Sequence, residues 1–227
     1  MHILARLNTN GQGLSVAAKH KGATIDAAAL KGVLTPDSKV AMTFRGGTHD
    51  LWLRYWLAAA GIDPEKDAQT IVVPPPQMVA NMKVGTMDAF CVGEPWPAQT
   101  VNQKLGYTAA VTGELWKDHP EKAFALRADW VAAHPKAAEA LTAAVIEAQR
   151  WCDADANKAE MCAILSKRAW FNVPVADILE RSRGNIDYGD GRKAENSPLL
   201  MKFWRDNASF PFASHDLWFL TEDIRRG

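Results

Sequence analysis

The chain has 227 residues, of which 48% are hydrophobic and 23% are charged, a composition typical of a globular protein and not of a disordered or fibrous one. Its 26 basic and 26 acidic residues give a formal net charge of zero, which argues against nucleic acid as a partner. The three cysteines form no Cys-x-x-Cys pair, and the glycines match neither a phosphate-binding loop nor a dinucleotide fingerprint. We therefore expect no metal site and no cofactor.

The first half of the chain, to about residue 110, alternates short apolar runs with helical patterns. Strands are predicted at 40–44, 70–73 and 89–92. A helix beside the first strand carries apolar residues at helical spacing and ends at Gly61, and a short helix after the prolines at 74–76 ends near Gly85. Such alternation predicts an α/β fold, in which helices cover a sheet.

The second half of the chain has a different pattern. Apolar residues recur in steps of three and four from Ala138 to Cys152, which predicts one amphipathic helix. Further helices are predicted at 156–167, 174–183, 197–206 and 215–225, and the polar, glycine-rich stretch 184–191 is predicted to be a loop. We therefore expect a largely helical C-terminal half.

The segment 45–50 (RGGTHD) lies at a predicted strand-to-helix turn. Glycines there leave backbone N–H groups accessible, and the positive end of the helix dipole favours a negative ligand, so the segment is a candidate anion site. In the alternative interpretation the two glycines only make a tight turn, Thr48 caps the helix and His49 is a surface residue.

Two other segments are candidates for ligand contact. The segment 93–96 (GEPW) closes the third predicted strand, where ligands of open α/β sheets bind, although Glu94 and Pro95 are equally expected at a helix start. Lys122 follows a turn, and lysines in such positions are usually solvated. Neither a Gly-x-Ser-x-Gly nor a His-Glu-x-x-His motif is present, so nothing in the sequence indicates an enzyme.

Several motifs together resemble the nitrate/bicarbonate-binding proteins of bacterial ABC importers, whose domain is shared with cytoplasmic nitrate sensors. They are 7–12 (LNTNGQ), 46–64 (GGTHDLWLRYWLAAAGIDP), 74–79 (PPPQMV), 85–90 (GTMDAF), 93–96 (GEPW), 117–122 (KDHPEK) and 127–130 (RADW). The resemblance implies a non-enzymatic, periplasmic solute-binding protein of type II, with two lobes and the ligand in the cleft between them.

The resemblance also implies how the chain is divided. Residues 1–22 would approach the hinge as a remnant of the first lobe, residues 23–130 would form the α/β second lobe, and residues 131–227 would return to the first lobe as helices and a tail. The opening units of the first lobe, including a tryptophan that packs on the ligand, would precede Leu7. We therefore expect an incomplete pocket and self-association through exposed apolar faces.

Position by position, the resemblance implies a set of anion ligands. The Gln12 amide donates, Thr48 and His49 hold an oxygen, the Gly93 backbone approaches the ligand, and Lys122 supplies positive charge. Such directed donors suit nitrate, which spreads one charge over three planar oxygens. Bicarbonate-binding members of the family place an acidic residue where Lys122 stands, so nitrate or nitrite is the expected ligand.

The resemblance leaves alternatives for the biological role. As an importer receptor the protein would be periplasmic and would deliver its anion to an ABC permease. No secretory signal pattern is visible in residues 1–6, which fits the alternative of a cytoplasmic nitrate sensor that regulates a protein partner. A bicarbonate-binding homologue is the other alternative.

Overall fold

The computed structural model describes residues 1–226 of the chain. The strands are β1 (His2–Arg6), β2 (Gln12–Ala17), β3 (Lys39–Met42), β4 (Gln69–Val72), β5 (Ala89–Gly93), β6 (Gly106–Val111), β7 (Ala123–Leu126), β8 (Ile186–Asp187) and β9 (Lys193–Ala194). The helices are α1 (Thr48–Ala59), α2 (Pro75–Lys83), α3 (Trp96–Asn102), α4 (Ala128–Ala133), α5 (Pro135–Asp153), α6 (Lys158–Leu165), α7 (Ala176–Ser182) and α8 (Ala213–Arg226). The predicted α/β fold is confirmed.

A mixed sheet has the strand order β4-β3-β5-β2-β6. Its strand β3 runs parallel to β4 and β5, whereas β2 is antiparallel to both of its neighbours. The strands β1 and β7 pair separately as an antiparallel ribbon. Because Glu121 and Lys122 lie directly before β7, and Leu7 N–H donates to the Lys122 carbonyl at 2.7 Å, the ribbon brings these two residues beside the start of β2.

The sheet separates two hydrophobic clusters. Along β3, Val40 and Met42 belong to one cluster and Ala41 to the other, as the alternation of side chains in a strand requires. One cluster contains the fully buried Trp52 and Trp56 of α1, and the other contains residues of α2 and α6. Helices therefore cover both faces of the sheet.

The predicted strands at 40–44, 70–73 and 89–92 are confirmed as β3, β4 and β5, and the two helices that follow the first two strands as α1 and α2. The amphipathic helix from Ala138 to Cys152 is confirmed within α5, and α6, α7 and α8 lie within or across the ranges 156–167, 174–183 and 215–225. The C-terminal half is largely helical, as predicted.

The predicted helix at 197–206 is wrong. Its backbone pairs with Thr9 instead, since Thr9 N–H donates to the Lys202 carbonyl at 2.9 Å and Lys202 N–H to the Thr9 carbonyl at 3.1 Å. The Lys202 ammonium donates at 2.6 Å to both Asp118 and Asp206. The long-range bonds to Thr9 and Asp118 replace the local backbone bonds that a helix would need.

The predicted loop at 184–191 contains β8, which forms a short antiparallel pair with β9. The division into 1–22, 23–130 and 131–227 remains a prediction, although β2 places part of the first segment within the five-stranded sheet. Within residues 1–226, no helix combines the length and the apolar character needed to cross a lipid bilayer.

Candidate functional site

Three parts of the chain meet at one edge of the sheet. Gln12 begins β2 and faces Gly93, the last residue of β5, in the antiparallel register. Thr48 and His49 are the first two residues of α1, which follows the carboxyl end of β3. Glu121, just before β7, is reached by side chains from both other parts. The edge therefore carries residues from distant positions of the sequence in one cluster.

The turn before α1 has a specific local construction. Gly46 has a φ of +73°, a conformation that favours glycine, and its N–H donates to the Asp50 carboxylate at 2.9 Å. Gly47 is the N-cap, and a Cβ at this position would lie 2.5 Å from the ring of Phe44. The alternative in which Thr48 caps the helix is therefore wrong, because Thr48 is the first helical residue.

Glu121 is the centre of the hydrogen bonds in this cluster. Its Oε1 accepts from Gln12 Nε2 and from Thr48 Oγ1, each at 2.6 Å, and Gln12 Nε2 also lies 3.0 Å from Thr48 Oγ1. Its Oε2 accepts from the Lys122 ammonium. Burial works against ionisation, but the Lys122 charge and the hydrogen bonds from Lys122 and Thr48 outweigh it and hold the pKa of Glu121 below its usual value.

His49 is buried, so the alternative that it is a surface residue is wrong. Its Nδ1 lies 2.8 Å from Thr43 Oγ1, while its Nε2 is buried without a hydrogen-bond partner among the described residues. Burial lowers the pKa of His49 to about 4, so the ring is neutral at pH 7. In the tautomer in which Thr43 donates to Nδ1, Nε2 carries the hydrogen and is a free donor.

Gly93 lies next to this free nitrogen. A Cβ placed on Gly93 would be 3.9 Å from His49 Nε2 and 3.7 Å from the Gly11 carbonyl oxygen. The backbone N–H of the following residue, Glu94, donates to that carbonyl at 2.9 Å. A side chain at Gly93 would therefore contact both the His49 ring and the Gly11 backbone.

A cavity of about 370 Å³ adjoins the cluster. Its walls are formed by the turn before α1, the residues before β7, the strand β1 and the helix α8, through Arg6, Phe44, Gly46, Gly47, Thr48, His49, Leu51, Glu121, Lys122, Phe219 and Asp223. The Arg6 guanidinium is buried, pairs with Asp216 of α8, and has a second nitrogen, Nε, without a hydrogen-bond partner among the described residues. Two cationic side chains, Arg6 and Lys122, therefore line the cavity.

The five predicted ligand residues, Gln12, Thr48, His49, Gly93 and Lys122, lie in this one region. Their roles toward an anion remain predictions. The sequence pattern did not single out Glu121 or Arg6. Glu121 stands directly before Lys122 in the segment 117–122, and its acidic character in a proposed anion site was the signal that could have drawn attention to it.

The position of Lys122 agrees in part with each interpretation made from the sequence, the solvated lysine and the cation at the anion site. Its side chain is 63% exposed, as expected for a solvated lysine, yet its ammonium pairs with the buried Glu121 carboxylate at the cavity wall. Glu94, by contrast, accepts from Arg181 at 2.6 Å and from the Ala98 N–H of α3 at 3.3 Å, which supports its structural interpretation. Within residues 1–226, no three His, Cys, Asp or Glu side chains are grouped so that they could hold a metal ion.

Two curated proteins show what the chain is similar to. It is 62% identical to the nitrate/nitrite binding protein NrtA of Nostoc sp., over 100% of this chain and 53% of the relative. It is 42% identical to the bicarbonate-binding protein CmpA of Synechococcus elongatus, also over 100% of this chain and 53% of the relative. The chain thus spans about half the length of the curated relatives it matches.

A solved structure has the same fold. The chain matches the crystal structure of the periplasmic nitrate-binding protein NrtA from Synechocystis PCC 6803 with a TM-score of 0.95 and 61% sequence identity, over 100% of this chain and 60% of that chain. The predicted likeness to a lobe of a periplasmic solute-binding protein is confirmed. The profile of the NMT1-like family matches residues 1–166, more than half of the chain. The chain therefore belongs to the NMT1-like family.

Proposed function

We propose that the protein binds a small oxyanion, nitrate or nitrite, as part of the solute receptor of an ABC importer. The observation that carries the proposal is the buried Nε2 of His49, which has no hydrogen-bond partner among the described residues and belongs to a residue lining the cavity. Lys122 and Arg6 line the same cavity and supply positive charge. A neutral donor with cations around it is the combination that a planar anion needs.

Lys122 favours nitrate over bicarbonate in this proposal. Nitrate needs only donors, whereas bicarbonate also needs an acceptor for its proton, and the Glu121 carboxylate already accepts three hydrogen bonds. The higher identity of the chain to a nitrate/nitrite binding protein, 62% against 42% for a bicarbonate-binding protein, supports the same choice. Bicarbonate binding is therefore the less supported alternative.

The importer role and the periplasmic location belong to the proposal. Periplasmic binding proteins close on a solute and deliver it to a membrane permease, so an ABC permease is the expected partner. The matched crystal structure is that of a periplasmic protein, which supports this role over that of a cytoplasmic sensor. We propose no catalytic step for the site.

Calorimetric titration with sodium nitrate tests the proposed function. We expect weak binding, with a dissociation constant above the low micromolar range, because Lys122 at the cavity wall is 63% exposed and solvent therefore reaches the site. Nitrate should bind more tightly than bicarbonate or chloride, and His49→Ala should abolish the heat of binding. Identical heats for nitrate and chloride at millimolar concentration, or an unaltered titration of His49→Ala, would contradict the proposal.

A further inference from the structure

The Glu121 carboxylate accepts hydrogen bonds from three of the five residues that were expected to hold an anion. Gln12, Thr48 and Lys122 all donate to it, and its side chain is only 4% exposed. A carboxylate resembles nitrate in the properties that these donors recognise, since both are planar and carry one negative charge on acceptor oxygens. The protein thus contains an internal anion at the proposed binding site.

The donor groups of Gln12 and Thr48 already have acceptors within the cluster. The two hydrogens of the Gln12 amide are accounted for by Glu121 at 2.6 Å and Thr48 at 3.0 Å. The single hydroxyl hydrogen of Thr48 is donated to Glu121. An external anion therefore gains the Thr48 hydrogen and one Gln12 hydrogen only if the Glu121 carboxylate gives them up.

The charges around Glu121 also indicate that this carboxylate opposes the binding of an external anion. Lys122 is the cation in direct contact with it, His49 is neutral, and Arg6 is paired with Asp216. Asp223 adds another carboxylate to the cavity wall. In a partly desolvated cavity, an entering anion would meet the Glu121 charge at short range and only partly screened by solvent.

We propose that Glu121 is an affinity-determining residue that competes with the external anion for Gln12, Thr48 and Lys122. The inference rests on the proposed function, because it concerns the same cavity. It assigns to a buried carboxylate the task of limiting how tightly the site holds a monovalent oxyanion. The competing interpretation is that Glu121 only holds Gln12 and Thr48 in place, in which case its removal would weaken the anion site.

The two interpretations predict opposite changes in Glu121→Gln. This variant keeps the length of the side chain and removes its charge, so competition predicts nitrate binding tighter by about tenfold. Glu121→Asp keeps the charge and should not gain affinity. Glu195→Gln makes the same charge change at an exposed position outside the cavity wall and should match the unmodified chain.

The experiment is a calorimetric titration of the full 227-residue chain and these variants with sodium nitrate at constant ionic strength. Thermal unfolding would establish that each variant is folded, and Glu121→Ser would replace Glu121→Gln if the latter does not fold. A gain of affinity confined to the neutral Glu121 variants supports the inference. Nitrate binding by the unmodified chain with equal or weaker binding by the neutral variants would overturn the inference alone. No response to nitrate in any of the proteins would overturn the proposed function together with the inference.

Discussion

The hydroxyl oxygen of Thr43 lies 2.8 Å from Nδ1 of His49, and this contact determines which ring nitrogen faces Gly93. Thr43 directly follows β3 and His49 is the second residue of α1, so the turn between them positions both side chains. A partner on one ring nitrogen fixes the orientation and the tautomer of the other. Thr43 thereby acts on the cavity through His49 and not by lining it.

Thr43→Val should weaken nitrate binding without large loss of fold. Valine keeps the shape of threonine but removes the hydroxyl, so the tautomer of His49 with a hydrogen on Nε2 is no longer favoured. The expected loss is about threefold to tenfold in affinity, the range of one hydrogen bond. Calorimetry measures it, with Thr86→Val, an exposed threonine outside the cavity wall, as the control. Equal affinities of the two variants would show that Thr43 does not orient the ring.

Lys122→Glu should reduce nitrate affinity at least roughly tenfold. The change removes the charge-assisted hydrogen bond, worth about 1.5–3 kcal/mol, that the ammonium is proposed to donate to nitrate. It also places a second carboxylate beside Glu121. Lys117→Glu makes the same charge change at an exposed residue of the same segment and serves as the control. Calorimetry with nitrate and with bicarbonate reads the outcome, and a gain of bicarbonate binding would be consistent with the family pattern. An unchanged nitrate affinity would mean that Lys122 does not contact the anion.

The stability of the protein should fall as the pH is lowered from about 6.5 to 4. Burial lowers the pKa of His49 and of His119 to about 4, so between these pH values the unfolded chain binds protons that the folded protein does not. Each ring therefore costs roughly 3 kcal/mol of stability across this window. His119 is satisfied when neutral, since Nε2 lies 2.7 Å from Thr112 Oγ1 and Nδ1 lies 3.0 Å from the Pro120 carbonyl.

Urea unfolding at pH 7.5 and at pH 5 measures this dependence. His119→Asn should be less stable at pH 7.5 but should lose less stability on acidification. The matched control is His134→Gln, which removes an exposed histidine and should leave the difference between the two pH values unchanged. A His119→Asn variant with the full acid sensitivity of the unmodified chain would contradict the assignment.

Within the five-stranded sheet, the strands that were predicted from the sequence differ chemically from the two that were missed, β2 and β6. Each of the strands β3, β4 and β5 contains valine, isoleucine or phenylalanine, residues that favour strands. By contrast β2 has the sequence QGLSVA and β6 has GYTAAV. Glycine, serine and alanine are poor strand formers, so only pairing within the sheet makes these segments strands. Such long-range pairing does not appear in a local pattern.

In the candidate site, too, the contacts between distant residues do not appear in a local sequence pattern. A turn with two glycines before a helix makes the region of Thr48 and His49 a candidate anion site from the sequence alone, beside the alternative of a simple tight turn. Only the resemblance suggested Gln12 and Lys122 as further candidates, because they are separated by more than a hundred positions in the sequence. Glu121 was missed because its importance lies in hydrogen bonds from two distant residues, Gln12 and Thr48, and a sequence alone does not show where a side chain points.

The chain should self-associate through α8. Leu217, Leu220 and Ile224 are exposed on this helix at spacings of three and four residues, so they form an apolar stripe facing solvent, while Trp218 stacks on Trp52. Exposed stripes of this kind associate with similar surfaces, and Leu220→Lys should shift the population toward monomer. Light scattering across a concentration series measures the mass. The control is Val84→Lys, which places the same charge on an equally exposed apolar residue of the turn after α2 and should not change the mass. A monodisperse monomer at high concentration would instead show that α8 needs no partner, and that the described residues fold as a self-sufficient unit.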